Sequence, residues 1–346
     1  MLCIASACAP TRSTGTLPAE VIVVLDSIEN ELTLVSVDST WARRSIPLDG
    51  LGFVPTRLAA QGGIAVVAGR QPESGAAAID LVSGTITNLY ALPSGTLGSI
   101  AVVGTSMGYL SLTSGAGVVV LDLVQGGVQS TIAAPGGPQG FVATRGKVLA
   151  TIGNQLGCPP TSCDLGPSWL LQVGAGLPRD SIPVSGPGNA GPAVVGADGN
   201  LYIISAGPPL GGLEGRLSVV DPVRNIETAA YTGVGPVAPS WIASDGGERV
   251  LIASPPGGLM VFNTRERRMT LPFGSGIPLQ FPVALVTDVV GRAYVVQQGG
   301  CSSGDPGRVR IFGTNLIEQQ PIDGITCPIG AAMGEIPADR IFSTIP

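Results

Sequence analysis

The chain has 346 residues, enough for two average domains or one large β domain. Gly (51) and Pro (30) are abundant, yet 44% of residues are hydrophobic, so disorder is excluded and many short strands punctuated by turns are expected. Charged residues make up only 12%, histidine is absent, and the net charge is −6; clustered cations for nucleic acid and every histidine-dependent chemistry are thereby excluded.

In chain order, the first segment is Met1-Leu-Cys-Ile-Ala-Ser-Ala-Cys8-Ala-Pro, followed by the polar Thr11-Arg-Ser-Thr-Gly-Thr16. It resembles the end of a bacterial lipoprotein signal peptide, with Ala5-Ser6-Ala7 before Cys8. It departs from that pattern in having Ala three positions before the cysteine, and in a short apolar stretch without a basic start. The resemblance implies lipidation at Cys8. Residues 1–18 are expected to be a signal remnant and linker, and 19–346 a single domain. No run of 18 apolar residues offers a membrane-spanning helix.

A repeat then runs through the body. Strands ending in a small or acidic residue recur as Val35–Asp38, Ala77–Asp80, Val119–Asp122, Leu171–Gly174, Ser218–Asp221, Met260–Asn263 and Arg310–Gly313. Their ends lie 42, 42, 52, 47, 42 and 50 residues apart, a period of 42 with three insertions. Each period opens on a Gly/Pro-rich turn, such as Gly137-Pro-Gln-Gly-Phe-Val142 or Gly235-Pro-Val-Ala-Pro-Ser-Trp-Ile242. An Asp-Gly hairpin follows in several, as in Ala197-Asp-Gly-Asn200 and Ser244-Asp-Gly-Gly247. Blades of four strands have this length. The pattern resembles the YVTN-type propeller repeat over residues 20–336. It implies an all-β fold, a seven-bladed β-propeller of four-stranded antiparallel blades, with eight blades as the alternative.

The three insertions, Leu156–Pro167, Gly207–Gly215 and Gly299–Gly307, all fall between the second and third strands of a blade. They are therefore expected on one face, where recognition loops concentrate. Four cysteines map to that face. Cys158 and Cys163 are close enough for a local disulfide, and Cys301 and Cys327 for a second; spacings of x4 and x25 do not suit a zinc site. Candidate binding residues on this rim are Arg57, Arg70, Glu73, Asp164, Trp169, Glu214, Trp241 and Asp305. Asp198, Asp245 and Asp288 are expected to form hairpin turns on the opposite rim, and Asp38, Asp80, Asp122 and Asp221 to cap turns through side-chain bonds.

Pro328–Glu335 reads as a first strand that completes the blade begun by Val21–Leu25, closing the ring; Arg340–Ile345 reads as a competing strand. No phosphate loop, dinucleotide fingerprint or convergent acid set is present, so no catalytic residue, metal ligand or cofactor is assigned. The expectation is a non-enzymatic cell-envelope propeller, extracytoplasmic and held to the membrane through a lipid. It would bind an envelope protein partner or serve as an assembly subunit, without nucleic acid. The alternative is a Ca²⁺-dependent, carboxylate-based hydrolase resembling the propeller lactonases. Carbohydrate binding would need exposed aromatics, and aromatics are only 4% of the chain.

Overall fold

The computed structural model describes residues 18–40, 42–113, 117–157, 164–174, 180–208, 214–236, 240–302 and 304–341. These form seven four-stranded antiparallel sheets arranged as the blades of a β-propeller, plus one two-stranded hairpin. The innermost strands, in ring order, are Pro328–Pro337 for blade 1, Phe53–Gln61, Leu97–Val103, Pro138–Thr144, Ala190–Val195, Trp241–Ser244 and Pro282–Thr287. Cys3, Cys8, Trp41, Cys158 and Cys163 lie outside the described residues.

Burial follows from position within a blade. Second strands are sandwiched by the blades on either side, so both of their faces are buried. Ile64–Pro72, for example, sends Ala65 and Val67 toward blade 1 and Val66 and Ala68 toward blade 3. This explains the continuous apolar runs in sequence, where a half-exposed strand would alternate. Fourth strands do alternate, as in Arg43–Pro47, where Arg44 and Ile46 are buried and their neighbours exposed. Seven hydrophobic clusters result, one in each gap between adjacent blades. Each gap thus has an apolar core among the described residues.

Ring closure is as expected. Pro328–Pro337 pairs antiparallel with Pro18–Asp26 from the other end of the chain, and the cluster joining blades 7 and 1 buries Ile22, Val24, Tyr294 and Val296. Closure removes the exposed inner edge that a chain of open blades would present. The reading of Arg340–Ile345 as a strand is corrected for its first two residues, the others lying outside the described residues. Ala338–Ile341 form one helical turn because the inner edge is already taken by Pro328–Pro337.

The repeat is also written in small backbone irregularities. Third and fourth strands shift register after Ala78, Val120, Val219 and Val261 in blades 2, 3, 5 and 6. In three of these, a threonine hydroxyl (Thr87, Thr228, Thr270) donates to the carbonyl before the shift, at 3.1–3.3 Å. The turn between those strands is capped by Asp80, Asp122, Asp221 and Asn263, whose side-chain oxygens accept backbone N–H bonds from the turn. Blade 1 departs from the expectation for Asp38. There Ser36 Oγ accepts from Asp38 N and Ser39 N, while Asp38 faces outward to Arg292 at 3.7 Å.

Candidate functional site: the upper face and axial funnel

The face bearing the insertions is called upper here. The second-to-third loops sit against the entry turns of the innermost strands. Gly153 N donates to Gly137 O, Ala206 N to Asn189 O and Gln298 N to Phe281 O. The three insertions therefore share this face, in blades 4, 5 and 7. The blade 4 insertion carries the two-stranded hairpin, Gln155–Gly157 with Asp164–Leu165. In blade 7, Cys301 bridges to Cys327, tying the insertion to the residue just before the closing strand. Asp26, buried in the adjacent turn, accepts Cys327 N at 3.1 Å through Oδ2 and Ile28 N at 2.9 Å through Oδ1.

Inside the ring, the upper half of the axial channel opens as a funnel of about 790 Å³. Its wall comes from the upper ends of all seven innermost strands and the residues entering them. In six blades these strands shift register near their upper ends, at Pro328/Gly330, Pro55/Arg57, Leu97/Ile100, Pro138/Gly140, Ala190/Ala193 and Pro282/Ala284. Bulges bend a strand and re-aim its side chains. The shift at Pro55/Arg57 sets Thr56 and Arg57 into the funnel wall.

Polar groups in this wall are mostly neutral. Gln139, Gln155, Asn189, Ser99, Thr113 and Ser240 are among them. Gln155 Nε2 donates to Asn189 Oδ1 at 3.2 Å, and Asn189 Nδ2 donates to Gly207 O, coupling the funnel wall to the blade 5 insertion. Arg57 is the one ionisable side chain among the described lining residues. Its Nε donates to Gly98 O at 2.5 Å and Nη1 to Thr56 O at 2.9 Å. Desolvation by the surrounding wall, and then the nearby Arg70, push the guanidinium below its ordinary pKa. It still stays charged at any physiological pH.

The lower half of the channel is different. Val194, Val195, Ile242, Leu285, Val286 and Met333 line an apolar vestibule of about 460 Å³. On this lower face the hairpin acids Asp198, Asp245 and Asp288 do form the expected turns. Each also captures a side chain of the following strand: Tyr202 OH, Arg249 Nε, and both Arg292 Nε and Tyr294 OH. Burial first, and the facing carboxylate second, push the Tyr202 and Tyr294 hydroxyls far up in pKa, so they remain donors.

The residues expected at the rim are therefore distributed. Arg57 and Trp241 line the same funnel, from blades 2 and 6. Arg70 lies close enough to Arg57 to perturb it electrostatically and donates to Gly95 O. Glu73, Asp164, Glu214 and Asp305 are exposed on upper loops outside the funnel lining; Glu214 also accepts Gly233 N at 2.6 Å. Trp169 lies outside the funnel lining, with its ring against the upper entry turn at Gly136. It is partly buried against the cluster between blades 3 and 4, because the third strand it belongs to lies away from the axis. The amides and hydroxyls of the funnel had no individual signal in the sequence, since each strand contributes only one or two.

No protein-family model matches the chain, and no curated protein sequence does either. Solved structures that are similar include a streptogramin B lyase, at 12% identity and TM-score 0.61 over 83% of this chain and 89% of that one. Apo AztD from Citrobacter koseri is similar at 12% identity and TM-score 0.53, over 92% and 99% of the two chains. Kuenenia stuttgartiensis hydrazine synthase is similar at 13% identity and TM-score 0.59, over 77% and 78%. Identities this low, among proteins of such different description, establish a shared fold and nothing about activity. By its own geometry and by these likenesses, the chain is a seven-bladed β-propeller.

Proposed function

We propose that the protein is a non-enzymatic propeller of the cell envelope that binds a protein partner through its upper face. The observation that carries this reading is the gathering of all three insertions on one face around a polar funnel, one of them pinned by Cys301–Cys327. Lower-face turns satisfy their own polar groups and are short. The upper face varies in loop length and carries exposed acids at Glu73, Asp164, Glu214 and Asp305. A disulfide fits an oxidising compartment.

Anchoring through a lipid at Cys8 belongs to the same proposal. Pro18 pairs with Pro337 at the lower end of blade 1, so the preceding chain leaves from the lower face. Between Cys8 and Pro18 an extended chain spans at most about 35 Å. A lipid at Cys8 would thus hold the lower face toward the membrane and turn the upper face away from it. The carboxylate-based hydrolase alternative would draw on acids at the axis, and the described funnel lining carries none.

The test is crosslinking and co-purification of the full-length tagged protein from its own envelope, beside a variant whose 207–215 loop is replaced by a short turn. A partner captured by the parent and lost by the loop variant, at unchanged thermal stability, is the expected result. A monomer without a partner, or capture indifferent to the loop, overturns the reading. Intact mass of the membrane-extracted protein checks the anchor: retention of residues 1–7 without lipid removes it.

A further inference from the structure

We propose that the upper funnel binds a ligand through a single carboxylate, with the Arg57 guanidinium as its anchor. The inference rests on the reading of the upper face as the binding face and names the chemistry recognised there. Arg57 is the lone ionisable group among the described lining residues, and neither it nor Arg70 forms an ion pair among the described residues. Both are instead held by backbone carbonyls of the loop and strand entering blade 3: Arg57 by Gly98 O, Arg70 by Gly95 O. Arg57 thus stands in the concave wall without a counter-charge among the described residues, with a second cation, Arg70, near it outside the lining.

The geometry of Arg57 suits an anion. Nε and Nη1 are each tied to a carbonyl, which fixes the plane of the guanidinium. Nη2 has no protein partner among the described residues, and Nη1 keeps a second hydrogen. Those two nitrogens form a fork of the kind that pairs with both oxygens of a carboxylate. Arg57 is exposed to the funnel and its guanidinium is already depressed by partial desolvation, so an arriving carboxylate would compensate a charge that has no partner in the wall.

The rest of the funnel narrows the ligand class. Ser99, Gln139, Asn189 and Ser240 offer neutral hydrogen-bonding groups, and Trp241 and Leu97 offer apolar wall, so the body of the ligand should be uncharged and amphipathic. Glu73, Asp164, Glu214 and Asp305 are exposed on the upper loops, and the chain carries a net charge of −6. A polyphosphate or tricarboxylate would meet repulsion there, while one carboxylate that passes the rim meets Arg57 in the wall. A single carboxylate can come from a free organic acid or from the C-terminus or acidic side chain of a partner polypeptide.

Binding to the intact protein is measured by calorimetry or ligand-observed NMR with three probes. They are an acetylated neutral tetrapeptide with a free C-terminal carboxylate, the same peptide amidated, and propionate. The free-acid probes are expected to bind and the amide to bind at least tenfold more weakly. Arg57→Gln should weaken the acid probes at least tenfold, about 1.4 kcal/mol. Arg57→Lys, which keeps the charge without the fork, should fall between. Preference for propionate identifies a small-acid source, and preference for the peptide a polypeptide end. Equal binding of acid and amide probes, or no acid binding at millimolar concentration, overturns the inference even if Arg57→Gln fails to fold. That outcome leaves partner capture by the 207–215 loop untouched. Conversely, loss of the loop effect with acid binding intact would remove the protein-partner reading and leave the carboxylate site standing.

Discussion

The two faces of the propeller spend their polar side chains in opposite ways. On the lower face, Asp80, Asp122, Asp198, Asp221, Asp245 and Asp288 all bond to backbone or side chains of their own turns. On the upper face, loops differ in length between blades, and amides, hydroxyls and Arg57 line an open funnel. Turns that satisfy themselves have little left for a ligand; groups held in a cavity by backbone carbonyls do. Under the proposed function, the contrast corresponds to stability on one face and recognition on the other, and each substitution below tests that division.

The largest effect should come from the lower face. Asp288 is buried and accepts from Arg292 N at 2.8 Å, Arg292 Nε at 2.5 Å and Tyr294 OH at 2.9 Å. Asp288→Ala would leave a fully buried tyrosine hydroxyl and most of a guanidinium unpaired. A loss of about 3–5 kcal/mol in unfolding free energy is expected. Asp288→Asn should recover part of it, because it keeps one acceptor. Chemical denaturation of both variants measures this, and carboxylate binding in the funnel should be unchanged in the folded fraction. A binding defect at constant stability would break the division between faces.

The disulfide is the instructive exception, an upper-face element whose first effect is on stability. Cys301–Cys327 joins the blade 7 insertion to the strand that closes the ring. With the partners 26 positions apart in sequence, chain entropy predicts a loss of about 3.5 kcal/mol for Cys327→Ser or on reduction. The loss should appear as a lower denaturation midpoint that reductant does not lower further in the variant. Hydrogen exchange should then rise first in Pro328–Pro337 and in its partner Pro18–Asp26, since those strands hold the closure. Uniform exchange around the ring would mean that the bridge does not guard the closing strand.

How much of this was legible beforehand depends on whether a signal repeats. Strand ends at Asp80 and Asp122 lie 42 residues apart and the later ones depart from that period only by insertions, because each blade must turn at the same place. Seven blades, the insertion sites and the closing strand are therefore the favoured reading, with eight blades and a competing strand left open. Cys301 and Cys327 followed from the same register. The funnel was only half legible. Arg57 stood out as a rare charge, and Trp241 as a rare aromatic. Gln139, Asn189 and Ser240 did not, since a site assembled from one residue per blade leaves no local pattern. Trp169 was legible as an upper-loop residue but not as part of the packing between blades. Its loop belongs to the upper face, but the third strand carrying it packs between blades 3 and 4. Asp38 misled because Ser36 caps that turn two residues earlier.

The smallest effects are expected from two carboxylates outside the funnel, and their signs should be opposite. Glu318 pairs with Arg310 at 2.7–2.8 Å, which holds its carboxyl below the usual range. Its folded pKa is lower than its unfolded one. The stabilisation is therefore complete above the ordinary value of 4.5 and is lost as pH falls through the depressed folded value. Glu20, at the lower edge of blade 1, is raised mainly by desolvation although it accepts Val289 N from blade 7. Its charged form is the penalised one, so it opposes folding at neutral pH and ceases to do so as pH falls through its raised value. Glu318→Gln should slightly lower the melting temperature at pH 7, and Glu20→Gln, which keeps an acceptor for Val289, should slightly raise it. Both differences should shrink toward zero in acid. Neither should alter probe binding at Arg57. A shift in that binding with Glu20→Gln would mean that strain at the lower edge of the blade 1–blade 7 joint is felt through the closing strand in the funnel wall, and the two faces would then be coupled through Pro328–Pro337.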